Sequence, residues 1–282
     1  MKTLLVPVDF SASTNNAAAY AVGLANDLEF NEIILVANLF VPLFEQIIPT
    51  PDLTQISESD IKIRIHTLRQ QLEELKLDLL KKLHPAVTVR VVISELTLVR
   101  SIVEQVIKNK PDLVLIGSSN TDIKDDSIIG RQVIELTKVI PVPVLIVPGK
   151  SSYQPIADVL VACEFISFTC LDPLQRLGKV NLWRHPRLLL LNLDPAKRDL
   201  HSDKPFAKMR DVVRHLPRGF KFEFDNLPDA AILPGIIKFS EEKKVQLIVA
   251  LAGKHSFLYN LTHRSLLQQL SSNSLKPVLV LK

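Results

Sequence analysis

A cluster of glycine and hydroxyl residues follows an apolar run near the middle of the chain. The run Leu113 to Ile116 predicts a buried strand, Gly117 a turn at its end, and Ser118 and Ser119 the start of a polar loop. Gly130 stands farther along, at the start of the next predicted helix. A glycine turn and a helix start both present free backbone N–H groups, which suit phosphate oxygens. The pattern therefore predicts an anion-binding bend.

The same residues also have a purely structural explanation. Gly117 and Gly130 permit a tight turn and the close packing of a helix, because glycine lacks a Cβ. Ser118, as a loop serine, faces water as readily as it donates to a ligand. The residue types alone leave both explanations open.

The sequence contains no motif that is typical of a catalytic or metal-binding site. The chain contains no Walker loop, dinucleotide-binding glycine motif, HExxH motif or GxSxG elbow. Its two cysteines, Cys163 and Cys170, have no second pair and no nearby histidine, which favours buried thiols over a metal site or a disulfide framework. We therefore expect no catalytic residues and no metal.

Length and composition exclude several classes of protein. The 282 residues allow two domains of ordinary size, and no apolar run approaches the roughly 20 residues of a membrane helix. The first residues lack a signal-peptide cleavage site, so we expect a cytoplasmic protein that does not enter a membrane. The net charge of +4 arises in the second half of the chain. Those cations are scattered with few aromatic residues among them, a pattern that does not favour nucleic-acid binding.

Residues 1–150 predict strands and helices in alternation. The predicted helices are one capped by Ser11 or Ser13, a long one at about 59–83, and Leu98 to Lys108. Five apolar runs predict the strands, Thr3 to Val8, Glu32 to Leu39, Val87 to Ile93, Leu113 to Ile116 and Val144 to Val147. Such alternation is typical of a parallel sheet covered on both faces.

Residues 151–282 repeat this plan in shortened form, after a linker from Pro148 to Pro155. The predicted fold class is α/β, with two tandem flavodoxin-like or Rossmann-like domains, 1–150 and 151–282. Each has a mainly parallel five-stranded sheet with helices on both faces. Such an order would bring Asp9, at the end of the first strand, beside Gly117.

In the order and spacing of these motifs, the chain resembles the universal stress protein family as two tandem copies. The family's fingerprint follows its fourth strand: a glycine, two residues, a glycine, nine residues, and then glycine with serine or threonine. Here Gly117, two serines, Asn120, nine residues, Gly130 and Arg131 keep that spacing. The VDFS at Val8 to Ser11 resembles the family's first strand and its aspartate, and PVPVLIVP resembles its dimer-forming last strand.

Several positions depart from the fingerprint. Asn120 replaces the second glycine; asparagine tolerates a positive φ, although its side chain could crowd a phosphate. Arg131 replaces the hydroxyl residue and offers a charge-assisted contact in exchange. In the second copy Gly253 remains, but Ser256 stands where a glycine is expected, and Glu164 takes the place of the aspartate.

The resemblance implies a non-catalytic stress-response protein that binds ATP or a related adenine nucleotide in its first copy. In that picture Asp9 holds a ribose or adenine edge, and the backbone of Asn38 flanks the base. The residues alone allow simpler roles: Asp9 caps the following helix together with Ser11, and Asn38 is an ordinary strand-end asparagine.

The resemblance also implies a pairing of the two last strands. Val144 to Val147 and Val278 to Leu281 would pair across the domain boundary, so that one chain imitates the family's dimer and hides two strand edges. A homo-oligomer beyond that pairing and an unknown protein partner stay open. The alternative function is a nucleotide-independent interaction module of the same family, with the helix at 59–83 and the loop at 42–56 as its contact surface.

Overall fold

The structure is a computed structural model of the chain, and it describes residues 2–39, 58–118, 128–163, 186–193, 220–227, 232–251 and 276–281. The sequence of the second half also predicts helices at Pro173 to Val180, at Pro205 to Leu216 and from about Thr262, and these three lie outside the described residues.

The first-half strands are mostly continuous apolar runs, because helices cover both faces of the sheet. The strands are β1 (Thr3–Val8), β2 (Glu32–Asn38), β3 (Thr88–Ser94), β4 (Leu113–Ser118) and β5 (Val144–Pro148). The helices are α1 (Ala12–Leu28), α2 (Glu58–Leu80), α3 (Leu98–Asn109) and α4 (Ile128–Val139). Helix α1 begins at its cap, Ser11, and ends where Glu29 adopts a left-handed φ of 56°. The predicted elements agree with these bounds to within a few residues.

The second half has the same kinds of strand. Its elements are β6 (Asp158–Cys163), β7 (Arg187–Asn192), β8 (Lys221–Asn226), α5 (Ile232–Glu242), β9 (Leu247–Leu251) and β10 (Val278–Leu281). Pro234 lies in the first turn of α5, where a missing N–H costs no helical hydrogen bond. None of the described helices is long and apolar enough to cross a lipid bilayer.

In the described residues, the strands form one sheet in the order β3-β2-β1-β4-β5-β10-β9-β6-β7-β8. Each half therefore has the order 3-2-1-4-5 of the Rossmann type. In the flavodoxin order the third strand would lie beside the first. The predicted contact between the first and fourth strands is confirmed, since Leu4 pairs with Leu113 and Leu5 with Val114.

The two half-sheets join through their last strands. Strands β5 and β10 run antiparallel, with Leu145 opposite Leu279 and Val144 opposite Val280. The other neighbouring strands of the sheet are parallel. The expected pairing is thus present in the structure, and both strands gain a hydrogen-bonding partner.

The described strands of the two halves correspond residue by residue. The N–H of Val114 donates to the carbonyl of Pro143 at 3.0 Å, and the N–H of Ile248 donates to that of Pro277 at 3.0 Å. In both halves the second residue of the fourth strand thus donates to the carbonyl of the residue that precedes the last strand. Positions in the two halves can therefore be compared through the strand pairings alone.

Two apolar layers cover the sheet. The α1 face carries α1 and α2 and receives alternate strand residues such as Leu4 and Leu115. The α3 face carries α3, α4 and α5 and receives Leu5 and Val114. Both layers continue through the two halves.

Candidate functional site

β1 and β4 are neighbouring parallel strands, and the helices that follow them lie on opposite faces of the sheet. The helix that follows β1 packs on the α1 face, whereas the helix that follows β4 packs on the α3 face. Divergence of this kind opens a crevice at the carboxyl ends of the two strands, which is where ligands bind in open α/β sheets. Asp9 follows β1 and Ser118 ends β4, so both lie at this crevice.

The Asp9 carboxylate binds the start of α1. Its Oδ1 accepts from the N–H of Ser11 at 3.1 Å, from Oγ of Ser11 at 2.6 Å and from Oγ1 of Thr14 at 2.8 Å. The hydroxyl of Ser11 accepts in turn from the N–H of Thr14 at 3.4 Å, as an N-cap does. The helix-capping role considered for Asp9 is therefore present, and a negative charge here suits the helix dipole.

Phe10 forms the bend between β1 and α1. Its φ is 61°, which a bulky side chain rarely adopts. The amide Nδ2 of Asn15 donates to the carbonyl of Phe10 at 3.1 Å, and the ring packs on the core of the α1 face. Backbone strain of this kind concentrates at functional sites, so the bend is a further candidate element of the site.

Gly117 is not a turn residue. It lies inside β4 opposite Val147, because pairing with β5 continues to the end of the strand. A Cβ at Gly117 would lie 2.5 Å from the carbonyl oxygen of Ser13 and 3.1 Å from Cα of Thr14. The glycine thus lets the first turn of α1 rest on β4, which is the close-packing role considered from the sequence.

Ser118 is buried, with 2% of its surface exposed. Its carbonyl accepts from the N–H of Gly149 at 3.0 Å, which brings the start of the linker to the end of β4. The amide Nδ2 of Asn16 donates to the carbonyls of Pro148 and Ser151, at 2.9 Å each. The first turns of α1, the end of β4 and the linker therefore form one hydrogen-bonded unit.

Tyr153 attaches the rest of the linker to α1. Its ring covers Gly23, where a Cβ would lie only 2.4 Å from Cδ1 of the ring. Its hydroxyl donates to Oδ2 of Asp27 at 2.5 Å, and its ring meets that of Tyr20 edge-on at 5.1 Å. Burial raises the pKa of the Tyr20 hydroxyl above its ordinary range.

Asn38 stabilises the end of β2. Its amide Nδ2 donates to the carbonyl of Ser94 at 3.4 Å and to the carbonyl of Leu96. The role of an ordinary strand-end asparagine is therefore present. These bonds tie Asn38 to the segment between β3 and α3.

The remaining predicted residues belong to the segment after β4. Asn120 lies outside the described residues. Gly130 and Arg131 lie in the first turn of α4, whose backbone the structure describes from Ile128 onward. The structure therefore brings Asp9, Gly117 and Ser118 together around the start of α1.

Two residues of the crevice, Thr14 and Asn16, were missed by sequence reasoning, and Ser13 was considered only as a cap of the first helix. The run STNN at the start of the first helix was the available signal, because hydroxyl and amide side chains there are within reach of Asp9 and of the neighbouring strand end. No group of metal-ligating side chains gathers in the part of the chain that the structure describes. This crevice can hold a polar ligand by hydrogen bonds and by the positive end of α1.

Comparison with known proteins agrees with this fold. A universal stress protein from Archaeoglobus fulgidus is similar over 99% of this chain and 98% of its own, at 17% identity and a TM-score of 0.67. A protein of unknown function from Pseudomonas aeruginosa is similar over 100% of this chain and 92% of its own, at 15% identity and a TM-score of 0.51. Both likenesses concern the fold. A comparison with curated protein sequences gives no match.

The model of the universal stress protein family matches residues 1–148, which is more than half of the chain. This range ends at the last residue of β5 and includes the whole crevice between β1 and β4. The chain therefore belongs to the universal stress protein family.

Proposed function

We propose that the chain is a non-catalytic stress-response protein that binds ATP or a related adenine nucleotide in the crevice between β1 and β4. The observation that carries the proposal is the divergence of the two helices that follow these strands, with Asp9 and Ser118 at the edges of the crevice. Membership of the family supports the same ligand class. The residues proposed to form the site are Asp9, Asn38 through its backbone, Gly117, Ser118, Asn120, Gly130 and Arg131.

The Asp9 carboxylate is suited to hold the ribose or the base. Three donors on Oδ1 hold it in one orientation, so little side-chain freedom remains to be lost on binding. Arg131 would supply the positive charge for a phosphate chain. Gly117 would act indirectly, by letting α1 and its capping network approach β4.

Absence of catalysis is part of the proposal. The described residues around the crevice are hydroxyls, amides and one carboxylate, and that carboxylate already caps α1. No base in this set is placed to activate water, so slow turnover at most is expected. We also propose a cytoplasmic location. Proteins of oxidising compartments often carry several disulfides, and two cysteines do not make such a framework.

We further propose that the domains are 1–150 and 151–282 and that they imitate a family dimer within one chain. The antiparallel pairing of β5 with β10 and the matched registers of the halves support this arrangement. The boundary falls in the linker that Asn16 and Tyr153 attach to α1.

Calorimetry with ATP and Mg²⁺ tests the nucleotide. The full chain is expected to bind, and Asp9→Asn to weaken binding about tenfold or more, because a charge-assisted hydrogen bond is lost. Ser11→Ala is the matched control, since it damages the same helix cap and keeps the carboxylate. A flat titration of the unaltered chain, with no nucleotide released on denaturation by mass spectrometry, would refute the proposal.

The second candidate function is a nucleotide-independent interaction module. It is favoured by Gly117 and Asn38, whose contacts have structural explanations that need no ligand. A specific partner retained equally with and without ATP, together with a flat titration, would establish this alternative. A partner released only by ATP would instead favour the first proposal, nucleotide binding.

A further inference from the structure

Leu251 occupies in the second half the position that Gly117 occupies in the first. Val114 and Ile248 correspond, because each N–H donates to the carbonyl of the proline before the last strand. Gly117 and Leu251 lie three residues beyond these two points, and they pair with Val147 and Leu281 respectively. By this register Leu251, and not Gly253, corresponds to Gly117; Gly253, the glycine expected in the second copy of the fingerprint, lies outside the described residues.

The same comparison extends to the second strands. Val8 pairs with Ala37 and Cys163 pairs with Asn192, so the next residues, Asn38 and Leu193, correspond.

The third strands follow the same rule. Ala37 pairs with Ile93 and Asn192 with Asn226, which makes Ser94 and Leu227 counterparts. The carboxyl ends of the second half-sheet thus carry leucines at four positions where the first half has other residues: Leu193, Leu227, Leu251 and Leu281.

A leucine at position 251 is incompatible with the arrangement seen at Gly117. In the first half a single Cβ would already lie 2.5 Å from the carbonyl oxygen of Ser13. A whole leucine side chain needs the space that the first turn of α1 fills there. Leu251 is itself 1% exposed, so hydrocarbon fills the corresponding place in the second half.

Leu193 and Leu227 replace residues with hydrogen-bonding side chains, Asn38 and Ser94. Asn38 donates to two carbonyls, whereas Leu193 is 1% exposed and belongs to the apolar core of the α3 face. Leu227 packs on α5 at Gly235, where a Cβ would lie 2.7 Å from Cδ1 of the leucine. Leu193 is buried and Leu227 partly buried. Their hydrocarbon offers no donor to a phosphate or a ribose, and burying such groups against it is strongly unfavourable.

We infer that the chain binds a single nucleotide, in the crevice between β1 and β4, and that the matching end of the second half-sheet is part of the apolar core. The ligand part of this inference, a single nucleotide, rests on the proposed function. The structural part, an apolar end of the second half-sheet, rests on the strand registers. The second half then serves as a fixed structural partner that supplies β10 to the sheet.

Stoichiometry tests the ligand part. Calorimetry of the full chain with ATP and Mg²⁺ is expected to give one site per chain, and Asp9→Asn is expected to weaken that site at least tenfold. Two sites per chain, or one site that Asp9→Asn leaves unchanged, would overturn the inference.

A measurement without ligand tests the structural part. Leu251→Ala, and the milder Leu251→Val, are expected to shift the urea midpoint to lower concentration, whereas Leu96→Ala, at a leucine that is 40% exposed, leaves it nearly unchanged. An unchanged midpoint in both Leu251 variants would overturn the inference. If no nucleotide binds but the midpoints shift as expected, the proposed function fails and the apolar end of the second half stands.

Discussion

Arg90 and Glu223 occupy the same position in the two halves of the sheet and carry opposite charges. Nε of Arg90 lies 2.9 Å from Oε1 of Glu32, and Nη1 of Arg187 lies 2.8 Å from Oε1 of Glu223. Glu32 and Arg187 correspond as well, because each opens the second strand of its half. The ion pair is thus kept with both charges exchanged. Both halves therefore place opposite charges at these two positions, in either order.

Exchanging the charges of Glu32 and Arg90 tests whether the sheet requires opposite charges at these positions. Glu32→Arg alone places two cations side by side and is expected to lower the free energy of unfolding by about 0.5–1 kcal/mol, since the pair lies near the surface. Adding Arg90→Glu should restore most of that loss. Urea denaturation of both single variants and the double variant measures the coupling; simple additivity would contradict the prediction.

Phe10 offers a measurement of backbone strain. Phe10→Gly and Phe10→Ala both remove the ring, but only glycine adopts a φ of 61° without cost. We expect the glycine variant to be more stable than the alanine variant by about 1 kcal/mol, although glycine is usually the more destabilising substitution. An alanine variant of equal or greater stability would show that the bend relaxes.

Gly23 and Tyr153 are predicted to be coupled with a change of sign. Gly23→Ala alone places a Cβ 2.4 Å from the ring of Tyr153 and should destabilise the protein by about 1 kcal/mol or more. In a Tyr153→Ala background the same change should stabilise it by up to about 1 kcal/mol, because alanine is the better helix former. A thermodynamic cycle of the four proteins measures this coupling.

Tyr153→Phe separates the ring from the hydroxyl. It keeps the ring on Gly23 and removes only the hydrogen bond to Asp27. A loss of about 1 kcal/mol is expected, smaller than that of Tyr153→Ala. Equal losses in the two variants would mean that the ring contributes nothing.

Ser101 carries a buried hydroxyl without a hydrogen-bond partner in the described part of the protein. Ser101→Ala should therefore raise the free energy of unfolding by roughly 1 kcal/mol, through removal of an unsatisfied polar group and a better helix propensity. Ser13→Ala is the matched control, because that buried hydroxyl contacts the hydroxyl of Ser11 at 3.3 Å and its loss should not stabilise the protein.

The buried hydroxyl of Tyr20 is expected to make the free energy of unfolding fall at alkaline pH. Burial raises its pKa in the folded protein, so the folded state keeps the phenolic proton that the unfolded chain loses above about pH 10. Its contribution is complete below that pH and is lost as the pH rises further. Tyr20→Phe should show a weaker fall in stability above pH 10 than the unaltered chain; parallel pH profiles would refute the assignment.

The sequence predicted the strands well because their signal is local. Apolar runs such as Thr3–Val8 and Val278–Leu281 match the observed strands to the residue. The capping of α1 by Asp9 and Ser11 was equally local, since it needs only residue types at short spacing.

The errors concern relationships that no single segment contains. Gly117 was predicted as a turn because glycine commonly ends a strand, yet its role depends on where α1 rests. Gly253 was chosen as its second-half counterpart by residue type, whereas the strand register selects Leu251. The contact of Tyr153 with Gly23 likewise joins segments 130 residues apart and has no local signal.

The junction of β5 and β10 also changes how the two halves of the sheet meet. Between separate molecules such an encounter is bimolecular and weakens on dilution, whereas a covalent tether makes it unimolecular. The junction should therefore persist at any protein concentration, and synthesis of one polypeptide ensures that both halves are always made in equal number.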